Sequence, residues 1–74
     1  MQGRQTLGAR IRGFRESAGM TQEALARAAD IGRVTLVRVE KGEQSPRFRT
    51  LDAIARALGR RVSELLVEPE SLLQ

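Results

Sequence analysis

Within residues 33–41, RVTLVRVEK, three cations and two valines stand at positions 33, 34, 37, 38 and 41. On a helix these positions share one side, because residues three and four apart stack over one another. The guanidinium groups of Arg33 and Arg38 each present a planar fork of donors. That fork fits two acceptors at once, as on a phosphate or on the O6 and N7 edge of guanine. Val34 offers only apolar contact, such as a thymine methyl accepts. The chain has no histidine and no cysteine. It therefore lacks the commonest general base, the commonest metal ligand and any thiolate. Ser17, Ser45, Ser63 and Ser71 have no histidine to activate them. Glu68 and Glu70 lie in a terminal segment where no pocket is expected. The chemistry on offer is recognition of anions and base edges rather than catalysis, and no metal or cofactor is expected.

Seventy-four residues allow one domain and one small core. A chain of this size buries only roughly 60% of its unfolded surface and is marginally stable alone. The net charge of +4 is unevenly spread. Residues 1–61 carry all thirteen bases and six acids, a balance of +7. Residues 62–74 carry Glu64, Glu68 and Glu70 and no base, a balance of −3. A basic body with an acidic end suits a polyanionic partner. Phe14 and Phe48 are the only aromatics. That is too few for a stacking platform on single strands, so double-stranded DNA is the better candidate. No apolar run approaches the ~20 residues that span a bilayer, and Met1 to Arg10 holds no signal-like apolar stretch. A cytoplasmic chain without membrane contact is expected.

The elements that must position the cationic face read as five helices and no strand. The first covers about 7–18, with Leu7, Ile11, Phe14 and Ala18 as its inward stripe, Thr6 as cap and Gly19 as terminator. The second covers about 22–29 behind Thr21, with Leu25, Ala28 and Ala29 inward and a small Ala26 for close crossing. A tight turn at Asp30 needs φ > 0, which Asp tolerates better than most residues. The third helix covers about 33–41. Ile31, Leu36 and Val39 hold it to the body, and Gly42 ends it. Residues 43–47 form a polar loop. A fourth helix spans about 48–58, with Leu51, Ile54, Ala55 and Leu58 apolar, and Gly59 ends it. A short fifth spans about 62–67 and Pro69 stops it. This divides the chain into an N-terminal arm (1–6), a helical domain (7–67) and an acidic, apolar tail (68–74). Arg4, Arg10, Arg12, Arg27, Arg56, Arg60 and Arg61 read as solvated surface, and Asp52 as surface or a first-turn helix charge.

The segments LGARIRGFRESAGMTQEALA, RVEKG, SPRFRTLDAIARALG and VSELL, taken together over about 7–66, resemble the phage-repressor/Cro-type (XRE-family) helix-turn-helix domain. The resemblance implies an all-α, compact five-helix bundle of the lambda-repressor-like kind, with its third helix in the DNA major groove. It implies that Arg33, Val34 and Arg38 meet base edges. Thr21, Gln22, Thr35, Lys41, Arg47 and the amide of Phe48 would meet the DNA backbone, with Arg47 near the minor groove. It also implies a structural ion pair, Arg15 with Glu40. In the family, dimers form through the C-terminal end. The surplus apolar groups there, Val62, Leu66, Val67, Leu72 and Leu73, are the expected homodimer surface.

Two positions depart from the family pattern. Asp30 stands where the turn usually has Gly, and Gly32 where the third helix usually has a Ser or Thr cap. Asp30 could instead reach forward as that cap, which would change where the helix starts. Val37 is an outward apolar residue where polar ones are commoner. The leading expectation is a repressor or autoregulator that binds an inverted-repeat operator as a dimer, in a bacterium or phage. An antitoxin-type regulator, whose tail binds a partner protein, is the alternative. A protein-interaction domain that has lost DNA binding is disfavoured by Gln22, Arg33, Arg38 and Arg47.

Overall fold

The computed structural model describes residues 6–66. The helices are α1 (Leu7–Ser17), α2 (Gln22–Ala29), α3 (Arg33–Lys41), α4 (Phe48–Ala57) and α5 (Val62–Leu66), and no strand occurs among the described residues. Each start has a local cause. The Thr6 hydroxyl accepts from the Ala9 N–H at 3.1 Å and the Thr21 hydroxyl from the Ala24 N–H at 3.0 Å. Each thereby satisfies one of the amides a helix start leaves without a partner. At α5 the Arg61 N–H donates to the Glu64 carboxylate at 2.7 Å. That bond, helped by the nearby Arg60 charge, holds Glu64 below the usual carboxylate range.

The four longer helices end the same way. In each, a residue with positive φ follows the helix, and the next N–H reaches back to a carbonyl five residues earlier. Gly19, Gly42 and Gly59 fill three of these places at φ 71°, 79° and 70°. Asp30 fills the fourth at φ 57°, ψ 46°, and the Ile31 N–H closes on the Ala26 carbonyl at 2.9 Å. The turn therefore has the predicted left-handed residue. Asp30 does not cap α3, however. The cap is Gly32, with no side-chain bond, and α3 starts at Arg33. A left-handed conformation costs an L-residue roughly 1–2 kcal/mol, and Asp less. Asp30→Gly is therefore expected to raise stability by about 1 kcal/mol and the melting temperature by several degrees. Thermal unfolding by circular dichroism checks this, and a drop would show that the Asp30 side chain does something the backbone does not.

The core is Ile11, Leu25, Ala26, Ala29, Leu36, Val39, Leu51, Ile54, Ala55 and Leu65. The α2 helix packs on α3 and α4, α1 on α3 and α5, and α4 on α5. Burying each large aliphatic side chain contributes about 1.5–3 kcal/mol. Leu7, Phe14, Ile31, Leu58 and Val62 pack partly buried against this core. Two expected inward residues, Ala18 and Ala28, are exposed. Ala18 is the cap at the end of α1. In α2 the buried stripe is Leu25, Ala26 and Ala29, one position away from Ala28. Helices α1 and α4 each end one residue earlier than expected, at Ser17 and Ala57.

Arg10 corrects a further expectation. It is not a solvated base: its Nε donates to the Leu65 carbonyl at 2.6 Å and its Nη2 to Leu66 at 3.4 Å. The last carbonyls of α5 have no partner within the helix, and a cation suits that end. Arg60 lies over the Phe14 ring, 4.7 Å from its centre, and also meets Glu64. Val67, Leu72, Leu73, most of the arm and the tail lie outside the described residues. No described helix is long and apolar enough to cross a membrane.

Candidate nucleic-acid interface

The outer face of α3 is built by subtraction. Leu36 and Val39 are consumed by the core, so helical periodicity turns Arg33, Val34, Arg38 and Lys41 outward, and all four are exposed. Val34 keeps 60% of its surface open to solvent. Thr35 and Val37 are half-buried on its flanks. Arg33, Val34, Val37, Arg38 and Lys41, joined by Glu43 from the following loop, line one shallow hollow.

Elsewhere on the described surface four exposed arginines pair with acids, while Arg49 and Arg61 do not. Arg12 meets Glu16 at 3.1 Å, Arg27 meets Glu23 at 3.5 Å and Arg56 meets Asp52 at 3.1 Å. Such exposed pairs contribute only about 0.3–0.5 kcal/mol each, but they occupy the cations. Arg33, Arg38, Lys41 and Arg47 have no ion pair and no side-chain hydrogen bond among the described residues. Arg47 is the cap residue of α4 and forms no side-chain cap bond. Phe48 opens that helix with 69% of its surface exposed. Arg47 and the Phe48 amide thus share a helix N-terminus, where backbone N–H groups and the helix dipole favour an anion.

The Arg15–Glu40 pair is present and is the centre of a larger network. Arg15 Nε donates to Glu40 Oε2 at 2.7 Å, its Nη2 to Oε1 at 3.2 Å, and its Nη1 to the Met20 carbonyl at 2.9 Å. The side chains are only 10% and 3% exposed. Gln22 Nε2 also donates to Glu40 Oε1, at 3.0 Å. A carboxylate only accepts, so the Gln22 amide must turn its nitrogen toward Glu40, leaving one N–H uncommitted at the start of α2. Gln22 is thus held by the same carboxylate that ties α3 to α1. Thr21 is engaged locally as the α2 cap.

The close approach of α1 and α3 depends on Gly8, which sequence reasoning passed over. A Cβ there would overlap the Val39 carbonyl oxygen and lie 2.5 Å from the Glu40 carbonyl oxygen. Nothing in the local pattern marks that contact, because its partners are some thirty residues away. The Gln22–Glu40 bond and the role of Arg10 were likewise invisible to local patterning.

A short helix, a left-handed turn, and a second helix with an unpaired cationic outer face, held in a five-helix frame, define a helix-turn-helix domain of the lambda-repressor-like type. The helix-turn-helix family profile matches residues 11–65, and the chain belongs to that family, in its XRE-type branch of transcriptional regulators and phage repressors. It is 43% identical over 58 residues to an uncharacterised HTH-type transcriptional regulator of Archaeoglobus fulgidus, covering 78% of this chain and 83% of that protein. It is 38% identical over 69 residues to the immunity repressor protein of Bacillus phage phi105, covering 93% of this chain but only 47% of that repressor. Among solved structures, the DNA-binding domain of the P22 c2 repressor in solution superposes with TM-score 0.83 at 29% identity, covering 88% of this chain and 86% of that one. The P22 c2 repressor in complex with a synthetic operator gives TM-score 0.78 at 30% identity, covering 82% and 92%.

Proposed function

We propose that this chain is a sequence-specific double-stranded DNA-binding repressor or autoregulator that lays α3 in the major groove. The observation that carries the reading is the unpaired face of α3. Its three cations have no internal ion pair and stand together on one helix face, whereas Arg12, Arg27, Arg56 and Arg60 meet neighbouring acids. In this reading Arg33, Val34 and Arg38 meet base edges. Gln22, Thr21, Thr35, Lys41, Arg47 and the Phe48 amide face the phosphates. The P22 c2 repressor, a structural neighbour, is known in complex with operator DNA, which supports the same use here. The partner is DNA in a bacterial or phage-infected cytoplasm.

The chain acts as a homodimer on an inverted repeat, joined through its C-terminal end. Leu66, 51% exposed at the end of α5, supports that surface. Val62 contributes less than expected, because it packs half-buried on the core. Two half-sites would then lie about 34 Å apart. In vitro selection on random duplex DNA tests the reading. The expected output is an inverted repeat whose half-sites hold an essential G and a nearby T. Arg38→Ala is expected to relax one G position, with a loss of ~1–3 kcal/mol of discrimination. An unchanged preferred sequence would remove Arg38 as a reader, and an output without two-fold symmetry would remove the dimer.

A further inference from the structure

The hollow on α3 is ringed by three cations and one acid, Glu43. Among the described acids, Glu16, Glu23, Glu40, Asp52 and Glu64 each meet an arginine. Asp30 and Glu43 do not, and of the two only Glu43 shares its hollow with cations, Arg33, Arg38 and Lys41. Its place is fixed by the backbone rather than by its side chain. Gly42 turns at φ 79°, and the Glu43 N–H closes on the Arg38 carbonyl at 2.9 Å. Moving Glu43 away would undo the bond that ends α3.

The position matters for a helix that enters a groove. The ~12 Å major groove takes the diameter of one helix, and Lys41, proposed above to face the phosphates, lines the same hollow as Glu43. With the N-terminal turn at the base edges, the C-terminal end reaches the rim where phosphates run. A carboxylate at that rim repels phosphate whatever the sequence. We infer that Glu43 is an affinity-limiting residue: it lowers the attraction of the α3 face for any duplex, so that one domain alone binds weakly. Stable occupancy then depends on two domains engaging one duplex together. This rests on the proposed DNA-binding function and adds to it a residue that sets how concentration-sensitive that binding is.

The test compares wild type, Glu43→Gln and Glu43→Lys on two duplexes of equal length across a salt series. One duplex is recovered by selection with the wild-type chain, and the other has an unrelated sequence. Glu43→Gln is expected to tighten binding to both by a similar factor, roughly fourfold at low salt and less as salt rises. Glu43→Lys is expected to tighten both roughly tenfold and to steepen the salt dependence by about one unit of slope. Melting temperatures should not change, because the carboxylate has no partner within the described chain. A loss of affinity confined to the selected duplex would make Glu43 a reader of the cytosine amino group and overturn the inference. Unchanged affinities would also overturn it. Folded wild-type protein that binds neither duplex would instead overturn the DNA-binding reading beneath it.

Discussion

Glu40→Ala is expected to unfold most of the chain at physiological temperature. The Glu40 carboxylate is almost wholly buried and accepts from both Arg15 and Gln22. Removing it leaves a buried guanidinium with the Met20 carbonyl and the edge of Glu16, 3.9 Å away and itself half-exposed. An uncompensated buried charge of this kind costs ~3–5 kcal/mol. At roughly 0.05–0.15 kcal/mol per residue, a 74-residue chain has only about 4–11 kcal/mol in total. The loss is therefore comparable to the whole stability. Arg15→Met should behave alike, by leaving a buried carboxylate instead. The double variant Arg15→Met with Glu40→Leu is expected to recover most of the stability, because an apolar pair of similar volume can replace a buried ion pair at little cost. It should not recover full DNA affinity, because Gln22 then has no carboxylate to hold its amide. Chemical denaturation of the three variants, with binding measured on the refolded double variant, checks both parts. A Glu40→Ala chain that melts within a few degrees of wild type would show that the network does not hold the fold.

Gly8→Ala is expected to be nearly as damaging, for a different reason. Alanine is the better helix former by about 1 kcal/mol. Its methyl, however, would overlap the Val39 carbonyl oxygen and approach the Glu40 carbonyl carbon to 2.8 Å. These are backbone atoms of α3, so no side chain can rotate out of the way and the two helices must separate. Overpacking of this kind costs ~1–3 kcal/mol, occasionally more, and Gly8→Val should cost more than Gly8→Ala. The displaced helix carries the proposed recognition face, so DNA affinity should fall beyond what the loss of folded protein explains. Gly13, in the same helix, is the control. A Cβ there meets nothing within 4 Å, so Gly13→Ala should stabilise by about 0.5–1 kcal/mol through helix propensity alone. Equal stabilisation by both substitutions would show that α1 and α3 are not in contact at Gly8.

These two sites show where local reading succeeds and where it stops. Thr21, Gly42 and Gly59 were legible because capping is decided by neighbours three to five residues away. Asp30 was legible as a left-handed turn for the same reason. Arg10 was misread because its partners, the carbonyls of Leu65 and Leu66, are 55 and 56 residues distant. A helical wheel shows that residue only as a base near the edge of an apolar stripe. Gly8 was passed over because an interior helix glycine looks like a defect until the second helix is placed against it. The Arg15–Glu40 pair was reachable only through family resemblance, and its third member, Gln22, needed the atomic arrangement. The outer face of α3 was the most legible part, since once Leu36 and Val39 face the core, periodicity dictates the rest.

The unpaired state of Arg33, Val34 and Arg38 has a consequence for substitution as well as for binding. None of them holds a bond inside the described chain, so substitution at any of the three leaves the interior intact. In the proposed reading, substitutions there change the preferred DNA sequence one at a time with the fold intact. Gly8, Arg15 and Glu40 have no such freedom. The chain thus separates a face that can change at no cost to the fold from a frame that cannot.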